Sequence, residues 1–276
     1  MPIISTNTTA NTALLYLNAN SADESSALAK LSSGSNITKA SDDAAGLAIG
    51  TLLQSDVTAL TQASTNSAQA TSILQIADGG LSNISDILQR MKSLASEANS
   101  GSVTDSQRSS DINAEYSQLL SEIDSIASDT KYNGQSLLDG TSQFASGVSF
   151  MVGTSSADSI TVTLAAAGAS ALGVTGTDVS TQADAQTALT AINTAIDTIS
   201  SQRATVGADE SRFNFQSQNI STMNENTTSA KSAIMDADVA AEKSKVASDD
   251  VKAQAAMAAL AQANAMPKEL LSLLQQ

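Results

Sequence analysis

Between Asp43 and Ala98, apolar residues recur at a spacing that only a long helix covered along its side can satisfy. Steps of three and four from Leu53 meet Leu53, Asp56, Leu60, Ala63, Ser67, Ala70, Leu74, Ala77, Leu81, Ile84, Leu88, Met91, Ala95 and Ala98. Twelve of these fourteen positions are apolar, and only Asp56 and Ser67 break the seam. A 3.5-residue repeat held over six heptads predicts a helix lying along partner helices in a left-handed coil. At about 1.5 Å per residue it is roughly 80 Å long. No small globular core contains such a rod, so other segments of the chain, or other chains, must cover it.

The remaining segments supply candidates for that cover. A first helix is expected from about residue 5 to Ser33, with Ala10, Leu14, Leu17, Leu28 and Leu31 on one stripe broken by Ser21 and Glu24. Gly34 ends it. Ser41 is the expected N-cap of the long helix, with Asp42 and Asp43 in its first turn. Asn99-Ser100-Gly101 closes that helix, and Thr104 or Asp105 can cap the next. There Ile112, Tyr116, Leu119, Ile123 and Ile126 step by fours and threes, predicting an arm that returns along the first. A turn follows at Lys131-Tyr132-Asn133-Gly134.

Only then does the period change. Val148, Phe150 and Val152, and later Ile160, Val162 and Leu164, alternate with polar or flexible residues around a Gly153–Asp158 loop, which reads as a β-hairpin. Ala165–Thr181 is small, glycine-containing and nearly uncharged, and reads as loop. Helix resumes near Ala183. Leu189, Ile192, Ile196, Ile199, Val206, Phe213 and Ile220 share a stripe with Arg203, Glu210 and Ser217. The last helix, about Ala237–Ala265, is alanine-rich, a composition with high helix propensity and little buried area. Pro267 is expected to interrupt it before the apolar end Leu270, Leu271, Leu273 and Leu274. The expected fold is mainly α: a long antiparallel helical bundle or coiled coil, with a β-hairpin region at about 140–175.

Composition narrows function. The chain of 276 residues has seven aromatic side chains, no histidine and no cysteine. It therefore lacks the commonest general base and metal ligand and has no thiolate chemistry. Asp42-Asp43 and Asp249-Asp250 are paired carboxylates only in sequence, since helical neighbours point apart. No enzyme, cofactor or metal site is expected. A net charge of −15 argues against nucleic acid and anionic membranes. No apolar run is long enough to span a bilayer. The N-terminus lacks the basic and apolar regions of a secretory signal, so by these tests alone the chain reads as cytoplasmic. The two ends carry apolar stripes with too few partners inside the chain, at Leu14, Leu17, Leu28 and Leu31, and at Val251, Met257, Leu260, Leu271 and Leu274. Such faces predict self-association.

Six short stretches in order resemble the bacterial flagellins. They are Lys39–Ile49 (KASDDAAGLAI), Leu88–Ala95 (LQRMKSLA), Tyr132–Gly140 (YNGQSLLDG), Gly207-Ala208 with Arg212-Phe213, Asp236-Ala237-Asp238, and Leu260–Asn264 (LAQAN) through Leu271–Leu274 (LSLL). The resemblance implies a structural subunit that polymerises with itself into the flagellar filament. It implies an inner terminal-helix coiled coil of residues 1–40 with 235–276, and a rod domain of residues 41–234. It replaces the cytoplasmic expectation with an extracellular one, reached through the flagellar type III channel without a cleaved signal. Implied partners are hook-associated and cap proteins, the export apparatus and a chaperone. In some flagellins an Arg and a Leu on the long helix, and a Glu on the next, contact Toll-like receptor five. Arg90, Leu94 and Glu115 match those positions, with one extra residue between the helices. Only about forty residues, Gly140–Ser180, separate the helical halves, so outer variable domains are absent from this pattern. A hook–filament junction protein and a soluble helical adhesin are the alternatives.

Overall fold

The computed structural model describes residues 7–274, with side chains for residues 7–267. Its two compact units are Met1–Ser55 with Asn226–Gln276, and Asp56–Glu225. Gly50 packs so closely on Met235 that a Cβ would overlap the thioether. That contact joins the first turns of the long helix to the terminal unit.

In the terminal unit, α1 (Thr8–Ser33) stops at Gly34, whose φ of 70° is the left-handed cap glycine adopts without strain. Ser5 and Thr6, the expected start of this helix, lie outside the described residues. Asp42 closes the following linker by accepting from the Thr38 amide and hydroxyl and the Lys39 amide. The Thr38 hydroxyl, then the Lys39 amide, hold its carboxyl below the usual range. The cap of α2 (Ala44–Ala98) is Asp43 and not Ser41, since the Asp43 carboxylate accepts the Gly46 amide. On the returning strand of the chain, α6 (Gln182–Met235) and α7 (Val239–Leu274) are joined by three residues. Asp238 caps α7 by accepting from the Ala240 and Ala241 amides. The two connections are tied together: the Asn36 amide donates to the Met235 carbonyl and the Ala237 amide to that of Gly34.

In the other unit every seam position of α2 from Leu60 to Ala98 is buried. Ser67, the polar exception, donates its hydroxyl to the Phe213 carbonyl of α6, so the core holds no orphaned oxygen there. The polar seam residue Arg203 of α6 forks onto Asp78 of α2 (Nε–Oδ1 2.8 Å, Nη2–Oδ2 3.3 Å). Burial, then the Asp78 charge, pushes the neighbouring Glu210 carboxyl up. The corner after α2 is held by a capping box: Thr104 accepts the Gln107 amide, and Gln107 accepts the Thr104 amide. Then come α3 (Asp105–Gln107), a π-turn at Arg108–Ile112, and α4 (Asn113–Asp129). A π-turn holds one residue more than an α-turn.

Beyond α4, β1 (Lys131–Tyr132) and β2 (Gln135–Ser136) pair around Asn133-Gly134, both at positive φ, as a two-residue hairpin turn requires. After α5 (Gln143–Ser146), the expected hairpin forms from β3 (Val148–Met151) and β4 (Ser159–Val162), with Phe150 opposite Ile160. The Phe150 ring meets Phe213 edge to face at 5.9 Å. Ala165–Thr181 lacks helix and strand, as expected, yet it is no surface loop. Ala167, Ala169, Val174 and Val179 are buried, and the strap is pinned to α4 by three bonds. Asp124 accepts the Ala169 amide, Asn113 accepts the Val179 amide, and the Tyr116 hydroxyl lies 2.7 Å from that of Thr177.

Candidate assembly surfaces

The terminal unit pairs α1 antiparallel with α7, in a register fixed near both ends. Asn7 Nδ2 donates to the Ala263 carbonyl at 2.7 Å, and Lys30 Nζ lies 4.0 Å from Glu242. The first contact also explains why Pro267 does not break α7. Proline has no N–H, so it leaves the carbonyl four residues earlier, Ala263, without its helical donor. Asn7 supplies that donor while its Oδ1 accepts the Ala10 amide and caps α1. Asn7→Ala should remove both bonds, and Asn7→Asp only the bond to α7. Hydrogen exchange of the first amides of α1 should therefore quicken about tenfold in the alanine variant, and clearly less in the aspartate variant.

Along the pair, the α1 positions turned inward are Ala10, Ala13, Leu17, Asn20, Glu24, Ala27 and Leu31. On α7 they are Glu242, Val246, Asp249, Ala253, Ala256, Leu260 and Ala263. Both sets step by three and four. The predicted residues therefore fall into two groups. Leu17, Leu31 and Leu260 belong to the intrachain seam and are half-buried. Leu14 (44 % exposed), Leu28 (55 %), Val251 (65 %) and Met257 (52 %) face outward. The single stripe expected on α1 is thus corrected, because Leu14 and Leu28 lie off the heptad that contains Ala13 and Ala27. Leu271 and Leu274 fall on α7, but their side chains lie outside the described residues. Leu15, Tyr16, Val239 and Met266 are exposed as well and were missed. The Leu14-Leu15-Tyr16 run was the available signal, since three adjacent apolar side chains on a helix cannot all enter one seam.

A second surface lies on the other unit, where α4 runs beside α2. Arg90 Nη2 is 2.7 Å from Glu115 Oε1, and both side chains are about half exposed. Leu94, expected at the surface with them, is 3 % exposed and belongs to the core under α2. It points inward beside the seam residue Ala95, one turn after Arg90. An exposed pair of this kind contributes only about 0–1 kcal/mol, so its interest is its position.

Neither surface has the geometry of a reaction site. Among the described residues no group of three His, Cys, Asp or Glu side chains is placed to hold a metal ion, and no helix is long and apolar enough to cross a membrane. What the terminal pair offers is an apolar outer face.

Comparison with known proteins agrees along the whole chain. The bacterial flagellin N-terminal helical region matches residues 4–143, and the bacterial flagellin C-terminal helical region matches residues 189–274. The flagellin of Bacillus subtilis (strain 168) is 36% identical over 303 residues, covering 98% of this chain and 99% of the relative. A flagellar filament core protein of Brachyspira hyodysenteriae is 34% identical over 286 residues, covering 99% of this chain and 100% of its own. The crystal structure of Bacillus cereus flagellin, 33% identical, superposes with a TM-score of 0.51 over 56% of this chain and 88% of that one. With matches at both helical ends and relatives collinear over nearly its full length, the chain belongs to the bacterial flagellin family.

Proposed function

We propose that this flagellin, a structural subunit of the flagellar filament, polymerises with copies of itself through the outward face of its α1–α7 pair. The supporting observation is that Leu14, Leu28, Val251 and Met257 stay exposed after the two helices have paired. Since each is already about half covered, covering the rest contributes about 1 kcal/mol or a little more apiece. In a stack of identical subunits every copy gains that burial, whereas a lone chain keeps the cost in water. In this reading residues 1–40 with 235–276 form the inner coiled coil of an extracellular filament, and residues 41–234 the surrounding rod. Leu271 and Leu274 extend the inner contact. The subunit leaves the cell by the flagellar type III route without a cleaved signal, aided by a chaperone, and abuts hook-associated and cap proteins at the filament ends. Recognition by Toll-like receptor five rests on Arg90 and Glu115, which stand side by side, with Leu94 acting beneath them as a core support.

Purified chain should elongate sheared filament seeds, and its helical circular dichroism per residue should rise on assembly as the terminal helices gain cover. A junction protein does not elongate seeds, and a soluble adhesin stays monomeric at high concentration. Failure to elongate, with equal helicity before and after mixing with seeds, would overturn the assignment.

A further inference from the structure

The chain has sixteen asparagines, and the fold leaves one of them open to attack by its own backbone. An asparagine side chain is lost when the amide nitrogen of the next residue reaches its Cγ. That amide must be free, and the ring that forms must find room. Twelve of the sixteen lie within α1, α2, α4, α6 and α7, where the following amide donates along the helix. Asn7 has both ends of its side chain engaged, by the Ala10 amide and the Ala263 carbonyl. Asn36 accepts from Lys30 Nζ and is followed by the β-branched, buried Ile37. After Asn99, the Ser100 amide donates to the Glu97 carbonyl at 3.0 Å.

Asn133 differs on every count. It stands at the tip of the β1–β2 hairpin, and both it and Gly134 are exposed. Among the described residues neither its side chain nor the Gly134 amide has a hydrogen-bond partner. Gly134 carries no side chain, and nothing lies within 4 Å of where one would begin. Beyond the bond from the Leu137 amide to the Thr130 carbonyl, the tip is held by two residue pairs, Lys131 with Ser136 and Tyr132 with Gln135. Pairing this short is marginal on its own, so the tip opens far more readily than the core. On opening, Asn133 leaves its φ of 49° and the Gly134 nitrogen is free to swing to Cγ.

We propose that Asn133 is a self-modification site of this chain: its side chain deamidates through attack by the Gly134 nitrogen, and the isoaspartate product opens the β1–β2 turn. Hydroxide takes the Gly134 amide proton, and the nitrogen bonds to Asn133 Cγ. The Cγ–Nδ2 bond breaks, and ammonia leaves with a proton from water. Water then opens the five-membered imide. Opening at Cγ gives aspartate, whereas opening at the main-chain carbonyl leaves Gly134 joined through Cγ as isoaspartate. In sum, one side-chain amide and one water become a carboxylate and an ammonium ion. Aspartate before Gly134 suits the turn as asparagine does. Isoaspartate carries the main chain through Cβ, so the two-residue loop grows by one atom and no longer sets the register of its strands.

The test uses the full soluble chain, held at mildly alkaline pH beside a second sample in urea. Peptides are mapped by mass and by methylation with an isoaspartyl methyltransferase. In the folded chain the peptide spanning Asn133 should be the first to exchange NH2 for OH in its mass and to accept methyl groups. Its rate should rise in proportion to hydroxide. In urea, where the Ser100 amide is released, the Asn99 peptide should join it. Hydrogen exchange of the 131–136 amides is then read separately on the isoaspartate and aspartate peptides. Only the isoaspartate form should lose its protection, and Asn133→Asp should exchange as the parent does. The proposal is overturned if another asparagine of the folded chain reacts first, or if urea leaves the ratio of Asn133 to Asn99 reaction unchanged. It is equally overturned if the isoaspartate peptide exchanges as slowly as the parent's.

Discussion

Leu14→Asp gives a chain that folds, keeps its α1–α7 pair and fails to extend filament seeds. Leu14 is outward on α1, so the new carboxylate stays hydrated in the monomer and the intrachain seam is untouched. In the assembly proposed above, the same carboxylate would enter the apolar contact between subunits, at a cost of about 3 kcal/mol or more for an unpaired charge. Since about 1.4 kcal/mol is a factor of ten, the critical concentration for elongation should rise about a hundredfold, which sedimentation of polymer at graded subunit concentrations would read. Leu260→Asp makes the contrast. Leu260 is half-buried in the seam, so its replacement attacks the pairing of α1 with α7 as well as assembly. Elongation is lost in both variants, but only Leu260→Asp should lower the helicity and exchange protection of the terminal unit in the soluble chain. Filaments of parental length from Leu14→Asp would show that the outward stripe is not the contact.

The contrast between these two leucines also marks what a sequence can reveal. The seam of α2 was legible because its larger side chains, Leu60, Leu74, Leu81, Ile84, Leu88 and Met91, repeat with a single phase and have core on one side only. The seam of α1 was not, because its inward residues are largely alanine. Alanine serves equally on a buried or a wet face, so the eye follows leucine, and two of the four leucines followed point outward. The partner helix resolves the ambiguity. Pro267 was misread for a related reason. The rule that proline ends a helix assumes that the freed carbonyl goes unpaired, and here the donor is Asn7, 256 positions away in sequence. The Ala165–Thr181 strap carries no period at all. Its burial rests on Asn113, Tyr116 and Asp124, whose roles become visible only once α4 lies against it. The ion pair between Arg90 and Glu115 was not legible, nor was the π-turn, since five ordinary residues such as Arg108–Ile112 carry no mark of an i→i+5 bond.

That π-turn begins at a residue whose loss should damage the unit Asp56–Glu225. Arg108 is 5 % exposed, and its guanidinium donates from Nε to the Ala98 carbonyl and from Nη2 to the Ser100 carbonyl at 2.7 Å. These carbonyls belong to the end of α2 and the turn after it, where a helix has no donors of its own left. The positive charge also sits at the negative end of the macrodipole, and Nη1 reaches Asp105 in the first turn of α3. One side chain thus fastens the end of α2 to the start of the next arm. Arg108→Met keeps most of the buried stem and removes all three donors. Each charge-assisted bond contributes about 1.5–3 kcal/mol, reduced where water can reach a freed carbonyl such as that of Ser100. The expected loss is about 3 kcal/mol, a fall of about 8 °C in midpoint for a unit of this size, read by thermal or urea unfolding. Arg108→Lys should recover less than half of it, because a single ammonium cannot span two carbonyls that the planar guanidinium bridges. An Arg108→Met midpoint within about 1 °C of the parent, where no kcal-scale loss is left to find, would mean that the capping box at Thr104 holds this corner unaided.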